Sequence, residues 1–170
     1  MGIDRTIVTD GSDLAAAHEE AGAFEYRKRL VVPRAGNQAT VAFMEIPPGR
    51  SAYPYHWHEG VTEVYVILAG SGTLRTPEGD RRVGAGAVVV LPPGPSGAHR
   101  LTNDGTEVLR YVDVDTTSDP DVTHYPDSGK SGLILGGVAV AFHRDGDGVP
   151  YYDGEPDAEQ PPRPTASDTD

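Results

Sequence analysis

From Phe24 onward the chain is a succession of short β-branched and aromatic runs, each cut off by glycine, proline or an Asn-Asp pair. That punctuation constrains the fold more than any other feature. Helix interiors tolerate glycine and proline poorly, whereas turns between short strands depend on them. The two residue types make up 36 of 170 positions (21 Gly, 15 Pro), about a fifth of the chain, against roughly 12% in average usage. The runs predict strands over Phe24–Val32, Ala39–Ile46, Thr62–Leu68, Gly72–Thr76, Ala87–Leu91, Ala98–Asn103, Glu107–Val114 and Leu133–Phe142. Evenly spaced short strands of this kind imply an all-β sandwich, jelly roll or small barrel, and the length suits one domain.

The ends read differently. Ser12 to Gly22 offers an N-cap candidate, an Ala-rich stretch and a closing glycine, so a short N-terminal helix is expected within residues 1–23. At the other end, residues 144–170 hold eight acids and two bases, with five prolines and almost no aliphatic residues. Residues 145–170 are therefore expected to form an acidic, Pro-rich, disordered tail, which leaves 24–144 as the folded domain.

Charge and cysteine content exclude several functions. The net charge of −12 disfavours nucleic acid and anionic membrane, because both are held by Lys and Arg. No run approaches the ~18 apolar residues of a membrane span, and the N-terminus lacks the basic start, apolar core and cleavage site of a secretory signal. A cytoplasmic protein is expected. With no cysteine, there is no disulfide framework or thiolate nucleophile, and any metal must be held by His, Asp or Glu.

Two histidines stand as His56-Trp57-His58, and a strand places alternate residues on one face. Glu63 has the wrong parity for a continuous strand, so the chain must bend, most simply at Glu59-Gly60, to bring it to the histidines. If Glu63 points inward, alternation also sends Tyr65 and Ile67 inward, and His99 carries Leu101 and Asn103 with it. Trp57 should face the opposite way, between sheets or at a subunit contact. Tyr53, Tyr55 and Phe43 are candidates for the mouth of a cavity, although ordinary packing suits them better. His18, His124 and His143 read as surface or satisfied residues.

Two segments carry a resemblance. The first runs Gly49, six residues, His56, His58, four residues, Glu63, six residues, Gly70. The second runs Gly86, five residues, Pro92, Gly94, four residues, His99, three residues, Asn103. Together they resemble the two motifs of the cupin superfamily, with one extra residue after Gly49 and two extra between Gly94 and His99. Tyr125 to Lys130 also resembles a loop of bacterial single-domain cupins of mostly unassigned function.

The resemblance implies a single cupin-type double-stranded β-helix, or jelly roll, over 24–144. It further implies one divalent transition metal (Fe, Mn, Ni, Cu or Zn) held by His56, His58, Glu63 and His99, and a homodimer. A small metal-dependent enzyme of oxygenase, isomerase or lyase type, acting on a small organic molecule, is the leading expectation, with Tyr65 or Tyr55 as proton donor. A non-catalytic module binding a sugar or metabolite is the alternative. A sugar-nucleotide epimerase-like activity ranks lower, because the candidate inward positions supply almost no basic residue for a diphosphate.

Overall fold

A computed structural model describes residues 2–156, so most of the expected disordered tail, from 157 onward, lies outside the described residues. Thirteen strands follow in order: β1 (Ala17–Ala21), β2 (Phe24–Val32), β3 (Ala39–Ile46), β4 (Trp57–His58), β5 (Glu63–Ala69), β6 (Ser71–Thr76), β7 (Gly79–Gly84), β8 (Val88–Leu91), β9 (Arg100–Thr102), β10 (Leu109–Thr116), β11 (Asp121–Tyr125), β12 (Lys130–Leu135) and β13 (Val138–Arg144). One sheet has the order β1-β2-β3-β10-β5-β8, a second β13-β12-β11-β4 and a third β7-β6-β9. A short antiparallel bridge at His56–His99 links the last two, and Ser51 bridges Thr102 of the third sheet to Phe24 of the first. The all-β jelly-roll expectation holds. Among the described residues no helix is long and apolar enough to cross a membrane.

The expected N-terminal helix is not formed. A 3₁₀ turn covers Gly11–Asp13, and Ala17–Ala21 is instead an exposed edge strand paired with β2, Ala21 opposite Phe24. An isolated helix of about eleven residues is marginal without a packed face. The glycine that reads as a helix stop is the turn residue of a hairpin: Gly22 has φ +61°, which a two-residue turn accepts at its first central position. A second correction concerns Leu133–Phe142, which is not one strand but the β12–β13 hairpin. Gly136 and Gly137, both at positive φ, reverse the chain there, with Leu135 opposite Val138.

The interior is layered, and the layering positions the site. Along β3, β10 and β5 alternate residues point inward, and cross-strand partners share a level. Ile46 pairs with Leu109; Met44 with Tyr111, which pairs with Ile67; Ala42 with Asp113, which pairs with Tyr65; Thr40 with Asp115, which pairs with Glu63. The barrel is thus apolar at one end, where Leu74 and Leu101 complete the core, and acidic at the other. The outward positions of the same strands carry Val112, Val114, Val64 and Val66, so β5 is apolar throughout after Glu63, whereas β10 alternates valine with Asp113 and Asp115.

On the outer face Glu45 joins three strands, accepting from Arg29 Nη1 at 2.9 Å and Arg110 Nε at 3.3 Å. Burial alone would raise its carboxyl, but the two guanidinium groups hold it below the usual value. A carboxyl depressed in the folded state contributes stability above its unfolded pKa and loses it as pH falls through the folded one. Glu45→Gln is therefore expected to lose about 0.5–1 kcal/mol near neutrality and to flatten the acid limb below roughly pH 4.3. Urea melts at a series of pH values test this; a variant with an unchanged acid limb would show the pair to be inert.

Candidate metal centre

His56 precedes β4, His58 lies on it, Glu63 opens β5 and His99 precedes β9. His56 and His99 exchange both backbone hydrogen bonds, at 3.0 and 2.8 Å, which fixes the two imidazoles side by side with centroids 4.5 Å apart. The bend between His58 and Glu63 does contain Gly60, for a reason of space. A Cβ there would stand 2.4 Å from Ser118 Oγ, and the Gly60 N–H donates to Asp121 Oδ1 at 3.0 Å. The Pro/Gly loop before His99 includes a 3₁₀ turn over Pro95–Gly97, and a Cβ at Gly97 would overlap the Pro92 carbonyl.

All three imidazoles have the same tautomer, set by acceptors. His56 Nδ1 lies 2.8 Å from the Pro54 carbonyl, His99 Nδ1 2.9 Å from the Gly97 carbonyl, and His58 Nδ1 2.6 Å from Asp121 Oδ2. Carbonyls and carboxylates only accept, so each Nδ1 carries the proton and each Nε2 keeps its lone pair. Ligand nitrogens of His56 and His58 and a Glu63 oxygen lie within 4.8 Å of one another. These three buried residues could hold a metal ion. A carboxylate behind a histidine ligand, as Asp121 stands behind His58, is the usual outer support of such a site.

His99 is adjacent, with Nε2 3.4 Å from Glu63 Oε2, and is engaged with the Tyr65 hydroxyl at 2.8 Å. That hydroxyl also lies 3.3 Å from Glu63 Oε1. Burial, with the Glu63 charge adding to it, pushes the Tyr65 phenol well above its ordinary value, so it keeps its proton. Burial, reinforced by the neighbouring imidazoles, holds His56 well below the usual histidine value and hence neutral. For His58 burial acts in the same sense but is outweighed by Asp121 and Glu63, and its pKa is raised.

A cavity of about 180 Å³ opens beside the histidines. Its lining also includes Lys28, Arg34, Asp113 and Asp115, with Tyr53 and Tyr125. Tyr125 stacks toward His56, centroids 5.9 Å apart. Sequence reasoning expected almost no basic residue inside, yet two reach the cavity, from β2 and from the loop after it. Lys28 Nζ lies 3.6 Å from Asp113 Oδ2, and Arg34 lies 3.9 Å from Asp115 and 3.6 Å from Asp121.

Tyr55 is buried outside the cavity lining, its ring covered by the Arg75 guanidinium at 3.9 Å, and Arg75 in turn makes a two-pronged bond to Asp127. Phe43 faces outward, against Gly11. Trp57 also faces outward and stacks on His124 at 4.0 Å.

Sequence reasoning missed Asp121, for which there is no local signal. It also missed Asp113 and Asp115, for which there is one: Val112-Asp113-Val114-Asp115 alternates charge and apolar residue at strand period.

A search of curated protein sequences finds no match. Among solved structures, the chain is similar to a proposed sugar phosphate isomerase of Acidithiobacillus ferrooxidans (23% identity, 83% of this chain and 93% of that one, TM-score 0.71). It is likewise similar to a cupin-superfamily sugar phosphate isomerase of Silicibacter pomeroyi (17% identity, 85% and 98%, TM-score 0.72). A third similarity is to a predicted oxalate decarboxylase of Thermotoga maritima (26% identity, 66% and 100%, TM-score 0.58). Below a quarter identity, the first two likenesses are of fold alone. Residues 42–115, from the inward face of β3 to Asp115, match the cupin domain family model. With both motifs placed on one barrel around a buried His-His-Glu group, residues 42–115 form a cupin domain.

Proposed function

We propose that this protein is a metal-dependent cupin enzyme that transforms a small organic molecule in the cavity beside His56 and His58. The observation that carries the reading is the common tautomer. His56 and His58 have Nδ1–H committed to an acceptor, so two Nε2 lone pairs and the Glu63 carboxylate form a donor set suited to one divalent transition ion, which His99 joins when the Tyr65 hydroxyl on its Nε2 bonds Glu63 Oε1 instead. His56, His58, Glu63 and His99 would hold it; Fe, Mn, Ni, Cu and Zn all accept this donor set. When bound, the ion supplies Lewis-acid or redox chemistry.

The chain's own residues set the protons. Asp121 orients His58 and keeps its Nδ1 protonated. Tyr65 holds its proton between His99 and Glu63, and we assign it the role of proton donor. Tyr55, covered by Arg75, braces the segment carrying His56. The names isomerase and decarboxylase borne by the fold relatives are in keeping with an enzyme.

The test begins with metal identification by mass spectrometry of the purified protein, followed by oxygen-uptake and product assays across small hydroxylated and carboxylated compounds. Tyr65→Phe is expected to lower turnover by about 100-fold or more while metal content stays near that of the wild type. Tight ligand binding without any product would favour the binding-module alternative.

A further inference from the structure

Lys28, Arg34, Asp113 and Asp115 give the cavity an ionic lining whose acids are buried and incompletely hydrogen-bonded. Asp113 and Asp115 side chains are 3% and 9% exposed, and the Oδ1 atom of each has no hydrogen-bond partner among the described residues. Arg34 Nη1 has none either; it sits 3.6 Å from Asp121, inside ionic range but beyond a good hydrogen bond. Buried polar atoms are rarely left this way. Here Glu63, Asp113 and Asp115 cluster, an oxygen of each within 4.8 Å of the others, with Lys28 beside Asp113 and Arg34 beside Asp115, and burial raises both aspartate carboxyls above the ordinary value.

The chemistry of that surface selects its ligand. A molecule that satisfies it must donate to the unpartnered carboxyl oxygens and accept from the guanidinium and ammonium groups at neighbouring atoms. A hydroxyl does both. Adjacent hydroxyls can therefore bridge each acid–base pair, which a purely anionic or purely cationic group cannot. A phosphate dianion finds no excess positive charge, because Lys28 and Arg34 face three clustered acids, Glu63, Asp113 and Asp115, and are still matched when one of these holds a proton. The volume of about 180 Å³ is that of roughly six waters at ~30 Å³ each, which suits a small sugar or polyol.

We propose that Lys28, Arg34, Asp113 and Asp115 form a subsite for vicinal hydroxyl groups, so that the molecule taken into the cavity is an uncharged polyol or sugar rather than its phosphate ester. This rests on the reading of the cavity as the substrate site and adds the substrate class. It also separates this chain from what the names of its fold relatives suggest.

The experiment is calorimetric titration of the full chain, metal-loaded and metal-free, with glycerol, ribose and glucose and with the phosphate monoester of each. At least one uncharged probe is expected to bind about tenfold or more tighter than its ester. Asp115→Asn should weaken that binding about tenfold with metal content unchanged. Lys28→Gln, closer to solvent, is the second variant should the first not fold. Tighter binding of the esters, binding by none of the probes, or undiminished binding in both variants would each overturn the proposal. A chain that takes sugars but no metal would sink the metal reading and leave the subsite standing. A metal-loaded chain that does not discriminate would do the reverse.

Discussion

His58→Ala is expected to reduce bound divalent metal from close to one ion per chain to less than about a tenth of that under the same loading conditions, measured by mass spectrometry. Two losses combine. The variant removes one of the lone pairs that face Glu63, and it leaves Asp121 Oδ2 without the imidazole proton it accepts at 2.6 Å, with only Arg34 beside it. Asp121→Asn separates the two. Its amide oxygen can still accept from Nδ1–H, so the histidine keeps its orientation but loses the charge behind it, and affinity should fall about 10- to 100-fold rather than vanish. The order wild type, Asp121→Asn, His58→Ala is the signature of a supported imidazole ligand. Chelator should lower the melting temperature of the wild type. At an ion concentration 100-fold above Kd, binding adds about 2.7 kcal/mol, or roughly 5–10 °C for a chain of this size. Equal metal in wild type and His58→Ala, with melting insensitive to chelator, would show that these residues are a polar core network and not a metal site.

The buried group of His56, His58 and Glu63 was legible in the sequence because its geometry is local. His56 and His58 are two residues apart on one strand face, and Glu63 follows after one bend. Strand positions were legible for a similar reason: Phe24–Val32 and Ala39–Ile46 match residue for residue, each bounded by a proline that ends the run. Local signals failed where two structures compete for one pattern. The Ala-rich stretch ending at Gly22 suits a helix by propensity, but β2 offers it a backbone partner. The run Leu133–Phe142 is apolar on both sides of Gly136-Gly137, and only the pairing of Leu135 with Val138 shows it to be a hairpin.

The rest of the site depends on contacts remote in sequence, where no spacing rule applies. Asp121 meets His58 across 63 residues. Lys28 reaches Asp113 only because β3 lies between β2 and β10 in the sheet. The charge of the cavity was therefore misjudged from sequence even though the buried His56, His58 and Glu63 group was found: inward basic residues come from β2 and its following loop, outside both motifs.

Asn103→Ala is expected to cost about 3 kcal/mol of unfolding free energy, lowering the melting temperature by roughly 6–12 °C. The residue that closes the second motif is fully buried. Its Nδ2 donates to the Ile46 carbonyl at 2.7 Å and the Glu107 carbonyl at 2.8 Å, and its Oδ1 accepts from the Gly105 N–H at 3.0 Å. Its backbone N–H and carbonyl bond Arg50 and Gly49. One side chain thus ties the end of β3 to the loop between β9 and β10. Alanine leaves two carbonyls and one N–H without partners, each worth about 1–3 kcal/mol if it stays dry, less where water reaches the loop. Asn103→Asp is the sharper variant: it keeps an acceptor for Gly105 but turns an oxygen toward two carbonyls, so it should be at least as destabilising as alanine. Denaturant melts of both variants test this, and a loss under about 1 kcal/mol for alanine would contradict it. Metal content measured well below the melting transition should be close to that of the wild type, because Asn103 touches none of the four proposed ligands. Its place in the motif follows from holding the loop that carries β9, and with it His99, against the core.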